Sequence, residues 1–108
     1  MADGGKAKDI TQLLGEWRQG SREAQAELFE KIYPELRQIA ANRVRGLWPG
    51  VTLRPTELIH ETWIRLAESR GMSFEHRGKF YSMAAVIMRH ILVDRARARR
   101  SQKRQAPE

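Results

Sequence analysis

The sequence predicts an all-α fold, a compact domain of three or four helices. Apolar residues recur at three- and four-residue steps, and no run alternates apolar and polar residues for long enough to make a strand. The chain has 108 residues and no cysteine, so it is too short for two separate cores and carries no disulfide framework. One helical core must therefore hold it together.

The first helix is expected from Asp9, a usable N-cap, to about Trp17, with Ile10, Leu13, Leu14 and Trp17 on one face and Gly20 ending it. Ser21 caps a longer second segment to about Arg45, in which Leu28, Phe29, Ile32, Leu36, Ile39 and Ala40 keep the helical step. Pro34 lacks the N–H that would bond the Glu30 carbonyl, so a kink or break is expected near Tyr33. Gly46 to Pro55 reads as a loop, with Trp48 tucked against the core.

Thr56 or Arg54 then caps a third helix to about Ser69. Leu58, Ile59, Thr62, Trp63 and Leu66 face the core, and Glu57, Glu61 and Glu68 form a carboxylate stripe turned outward. Arg70 to Gly78 reads as a polar connection. The last helix starts near Lys79 and buries Phe80, Met83, Ala84, Ile87 and Ile91, and it is expected to fray after Arg100. Residues 1 to 8 thus read as a disordered tail, 9 to 100 as the domain, and 101 to 108 as a basic tail or the start of a linker.

Charge is distributed unevenly. Of the net +7, residues 89 to 104 carry +6 and residues 1 to 88 only +2, with Glu108 subtracting one. A basic end on a balanced body suits a polyanion, nucleic acid first and an anionic membrane surface second. An amphipathic membrane helix would set bulky apolar groups opposite its cations, and only alanines follow Val93. The longest uncharged stretch, Phe80 to Met88, is far short of the roughly 20 apolar residues that span a bilayer. No signal core precedes Asp9, so a cytoplasmic location is expected.

No enzyme chemistry can be assembled. His60-Glu61 opens like a zinc-protease helix, but position 64 is Ile where the second imidazole would stand. His60, His76 and His90 read as exposed or capping residues, and no metal or cofactor is expected. Phe74, Phe80 and Tyr81 lie beside the basic helix, where exposed rings can stack unpaired bases, although Phe80 also fits the core stripe.

The stretch from Phe80 through Arg100 resembles the promoter-recognition helix of extracytoplasmic-function sigma factors, with Phe80, Arg89, Asp94 and Arg95 keeping the pattern. Leu58-Ile-His-Glu-Thr-Trp-Ile-Arg-Leu resembles the family's polymerase-binding helix, and Leu28-Phe29 with Tyr33-Pro34-Glu35-Leu36 the helix before it. The match covers almost all of residues 9 to 104.

The resemblance implies region 2 of a bacterial sigma factor, which binds the β′ clamp helices of core RNA polymerase and opens and reads the minus-ten promoter element. It places Glu57, His60, Glu61 and Glu68 toward polymerase. Lys79, Tyr81, Arg89, His90, Arg95, Arg97, Arg99 and Arg100 then fall toward promoter DNA, and the 70 to 79 loop is expected to hold an extruded base. Two departures stand out: Met83 replaces a common Trp and His90 a usual Asn. Nothing resembles the second helical domain, and the chain ends where a linker to it would begin, so the sequence reads as one part of a longer factor.

A third departure precedes Leu58, where Arg54-Pro55-Thr56-Glu57 replaces the several acidic residues common in the family. Phosphate on Thr56, or secondarily Thr52, would restore about −1.5 to −2 charges at a helix N-terminus. The resemblance permits a Ser/Thr kinase or an anti-sigma protein as a regulatory partner, the alternative being that Thr56 is only an N-cap. A monomer is expected. The rival reading is a small helical regulator that binds duplex DNA without polymerase. The sigma reading depends on Glu57 and Glu61 staying open to a partner and on the arginine-rich end not folding onto them.

Overall fold

A computed structural model describes residues 8–46, 53–69 and 76–105, with side chains to residue 102. Four helices follow in order: α1 (Ile10–Arg18), α2 (Arg22–Arg45), α3 (Pro55–Glu68) and α4 (Arg77–Gln105), and no strand occurs among the described residues. The expected all-α architecture of three or four helices is what forms, with four.

Helix α1 begins where its chemistry dictates. Asp9 accepts from the Gln12 N–H at 2.8 Å and the Gln12 side chain accepts from the Asp9 N–H at 3.1 Å, a reciprocal cap of two otherwise orphaned donors. Its far end closes when Gly20 N–H donates to Trp17 C=O at 2.9 Å and Ser21 N–H to Glu16 C=O at 3.1 Å. That closure needs Gly20 at φ +99°, which a Cβ disfavours. Ser21 then caps α2 by accepting from the Ala24 N–H at 3.0 Å.

Helix α2 buries Ala24, Leu28, Ile32, Leu36 and Ala40. Four-residue steps advance about 40° beyond each full turn, so this line spirals around the helix and lets α2 contact α1, α3 and α4 in turn. The break expected at Pro34 does not occur: α2 runs through it without interruption. Pro34 and Glu30 are both exposed, on the side away from the buried line. The carbonyl that proline leaves unbonded therefore lies where water can reach it, and the core is undisturbed.

Helix α3 is capped by Arg54, not Thr56, with Pro55 at its first turn. The Arg54 side chain has no acceptor to offer. Instead Glu57 reaches back and accepts from the Arg54 N–H at 3.3 Å. Leu58, Ile59, Thr62 and Leu66 are buried, and the Thr62 hydroxyl donates to the Leu58 carbonyl at 2.7 Å, so its burial leaves no orphan.

Helix α4 starts at Arg77, two residues before the expected start. His76 Nδ1 accepts from the Lys79 N–H at 3.2 Å while the His76 carbonyl takes the Phe80 N–H, so histidine performs the capping role. Phe80, Ala84, Ile87, Met88, Ile91, Leu92 and Ala96 face the core. The helix does not fray after Arg100; it continues to Gln105. Residues 97 to 102 are all exposed, so the last turns extend past the packed body, in keeping with overall extents of 68 × 25 × 20 Å.

The core joins all four helices, and aromatic rings bind its first three. The Trp17 and Trp63 indoles stack with centroids 5.0 Å apart and planes 8° from parallel. Phe29 meets Trp63 edge-on at 5.0 Å and Tyr33 at 5.5 Å. Leu53 is buried ahead of α3. Trp48, expected against the core, lies outside the described residues.

Candidate polymerase and nucleic-acid surfaces

Positions 57, 61, 64 and 68 fall within about 60° of one another around α3, because steps of three and four residues bracket the helical turn. Glu57 and Glu68 are exposed on this flank and Glu61 is half-buried. His60, one position away, is exposed. The stripe also holds a residue that charge counting missed: Ile64 is 48% exposed, one of two large aliphatic side chains standing open among the described residues. The signal for it was available, since Ile64 breaks the run of carboxylates at a position the core stripe does not use.

The basic row lies on α4. Lys79, Arg89, His90, Arg95, Arg97, Arg99 and Arg100 are exposed, and Tyr81 is half-buried. Val86, the second open aliphatic residue at 46%, stands among them one turn before Arg89 and His90. Tyr81 packs edge-on against Phe80 at 5.7 Å. Its hydroxyl pKa is raised, first by burial and then by the Glu35 carboxylate, with Arg77 opposing. Phe80 is wholly buried and offers no ring to a base, which corrects that part of the stacking expectation. Phe74 and residues 70 to 75 of the expected base-holding loop lie outside the described residues, as does Thr52.

The two surfaces are not separate. Arg95 Nη2 donates to Glu61 Oε1 at 2.6 Å, across 34 residues of sequence. One turn along α3, Arg65 Nη2 lies 3.7 Å from Asp94 Oδ2. Each helix thus contributes one acid and one base to the seam. The requirement that the arginine-rich end stay off the carboxylates fails at this pair: Glu61 is already engaged, and Arg95 is turned toward α3. Glu57, Glu68, Arg89, Arg97, Arg99 and Arg100 are left on the outer faces.

No group of three or more His, Cys, Asp or Glu side chains that could hold a metal exists among the described residues, and no helix there is long and apolar enough to cross a membrane.

A family model described as ECF sigma factor matches residues 7–106, nearly the whole chain. The chain belongs to the ECF sigma factor family. No curated protein and no solved structure compared with it matches. Membership places this sigma factor in transcription initiation, with core RNA polymerase, promoter DNA and anti-sigma proteins as its classes of partner. It also removes the rival of a regulator unrelated to polymerase. The matched span takes in α1 to α4 together.

Proposed function

We propose that this sigma factor domain docks the outer flank of α3 on the β′ clamp helices of core polymerase and lays the outer face of α4 on melted minus-ten DNA. What carries the reading is that the exposed charge outside the Glu61–Arg95 seam is divided by sign between the two helices. Glu57 and Glu68 stand open on α3 around Ile64, and Arg89, Arg97, Arg99 and Arg100 stand open on α4. Carboxylates around an aliphatic centre suit a partner helix that carries arginines beside an apolar seam. Arg89, Arg97 and Arg100 fall within about 80° of one another around α4, with Arg99 on another side. Such a guanidinium flank suits phosphates, with affinity that falls as salt rises. The 70 to 79 segment, whose last three residues open α4, is proposed to meet an extruded base. Tyr81 and His90, on opposite sides of α4, are separate proposed DNA contacts, and the site of action is the compartment of the polymerase.

Regulation at Thr56 belongs to the same proposal. Thr56 is exposed at the second position of α3, behind a cap whose arginine side chain cannot accept from the helix N–H groups. A phosphate there would meet unsatisfied donors and the positive end of the helix dipole, next to Glu57 on the docking flank.

The test is capture of core polymerase by the whole chain. Glu68→Arg is the preferred reversal, because reversing Glu61 would also set two cations against each other at Arg95. Glu68→Arg is expected to reduce capture at least several-fold, and bubble DNA with a minus-ten sequence is expected to bind better than duplex. Thr56→Glu is expected to tighten binding to the clamp helices. Unchanged capture by Glu68→Arg rejects the docking face, and equal or weaker binding by Thr56→Glu rejects the phosphate switch.

A further inference from the structure

Arg95 belongs by position to the basic row of α4, yet its guanidinium is spent on Glu61 at 2.6 Å. Glu61 belongs by position to the acidic flank of α3, yet its carboxylate is spent on Arg95. Both side chains keep substantial exposure, 34% for Glu61 and 44% for Arg95, so the pair sits at the solvent edge of the seam, where either member can be drawn to another partner. The second pair fits the same arrangement. Arg65 stands by Asp94, the one acid in the stretch from 89 to 104, and offsets a charge that would repel phosphate beside Arg95.

We infer that Arg95 is a nucleic-acid contact held in reserve by Glu61, released when a cation of the protein partner takes the Glu61 carboxylate. This rests on the docking and DNA faces proposed above and adds a coupling between them. In the free chain Glu61 competes with phosphate for the guanidinium. On the polymerase-bound chain an arginine of the partner satisfies Glu61, and Arg95 turns to the backbone of the melted strand. Linkage makes the effect reciprocal: DNA that takes Arg95 leaves Glu61 open and tightens the protein contact by the same factor. A pair at the solvent edge has modest strength, so the coupling is about two- to five-fold. It favours simultaneous engagement of both partners over either alone, without any change of fold.

The experiment measures affinity of the whole chain for a single-stranded oligonucleotide over a range of salt, without polymerase. Glu61→Gln is expected to raise affinity about two- to five-fold and to steepen the salt dependence by about 0.7 in log–log slope, one added phosphate contact. Glu68→Gln removes the same charge from the same flank without touching the clasp, and is expected to change affinity less and leave the slope alone. The double variant Glu61→Gln/Arg95→Gln is expected to lose the gain. In the otherwise unaltered chain, Arg95→Gln is expected to leave affinity nearly unchanged, whereas Arg97→Gln weakens it. The inference is overturned if Glu61→Gln gains no more than Glu68→Gln, if its gain survives loss of Arg95, or if Arg95→Gln weakens binding as much as Arg97→Gln. Failure of every variant to bind the oligonucleotide would instead overturn the DNA face itself, and the reserve contact with it.

Discussion

The indole of Trp17 lies flat on that of Trp63, 5.0 Å between centroids, and so joins the first helix to the third across a gap of 46 positions in the chain. The contact holds α3 in place: Trp63 immediately precedes Ile64 and also packs edge-to-face with Phe29 from α2. Trp17 is buried and its Nε1 donates to Gln25 Oε1 at 3.2 Å, which fixes the plane of the lower ring. Replacing Trp17 by alanine is expected to cost about 3–5 kcal/mol. Trp63→Ala, at a half-buried ring, should cost less, and chemical denaturation of the two variants gives both numbers.

Glycines 15 and 20 should respond to alanine with opposite sign. A Cβ at either meets nothing within 4 Å, so sterics do not separate them. Gly15 lies inside α1, where alanine gains about 0.5–1 kcal/mol from helix propensity. Gly20 has φ +99°, and alanine there is expected to lose about 1–2 kcal/mol. Urea titrations showing the same sign for both would contradict this account of the α1 closure.

The start of α4 can be strengthened by one substitution. His76→Asp retains an acceptor for the Lys79 N–H and adds negative charge at the positive end of the helix, an expected gain of about 0.5–1 kcal/mol. Gly78→Ala is expected to disappoint: its Cβ would stand 3.1 Å from His76 Nδ1 and push the capping ring aside. Combined with His76→Asp, where that ring is gone, the alanine should become favourable. Thermal melts of the two single variants and the double variant test this dependence.

Alkaline pH should destabilise the chain through Tyr81. Its hydroxyl ionises less readily when folded, because of burial and then Glu35, so the folded state holds that proton more tightly than the unfolded chain does. The contribution is fully present below the unfolded value of about 10 and is lost as pH rises through the higher folded value. Lys8 adds to the same trend, since its bond to Glu16 at 2.9 Å raises its pKa. Tyr81→Phe is expected to flatten the decline in stability above about pH 10. A decline as steep as in the parent chain would show that the hydroxyl plays no part.

Much of the fold was legible because its signals are local. Asp9 with Gln12, Gly20 and Ser21 mark the ends of α1 and the start of α2 within a few residues, and the apolar steps in α2, α3 and α4 pick out most of the buried side chains. The failures needed three-dimensional information. Whether Pro34 breaks α2 depends on which side of the helix loses its carbonyl partner, and that is settled by packing. His76 was legible as an exposed or capping residue, but not that its cap would start α4 two residues before Lys79, and the length of α4 past Arg100 is not written in any apolar pattern. The candidate site was legible as two charged rows. It was not legible as two rows that touch, because the Glu61–Arg95 pair depends on how α3 lies against α4, a register that no spacing within either helix encodes.

Helix α4 is seated from Phe80 to Ala96 and free beyond, so it behaves as a cantilever. Under the proposed DNA contact, a strand gripping Arg97, Arg99 and Arg100 would load the overhang, and the buried Met88, Ile91 and Leu92 would be the bearing that resists it. Load applied at the tip is thereby felt at the root.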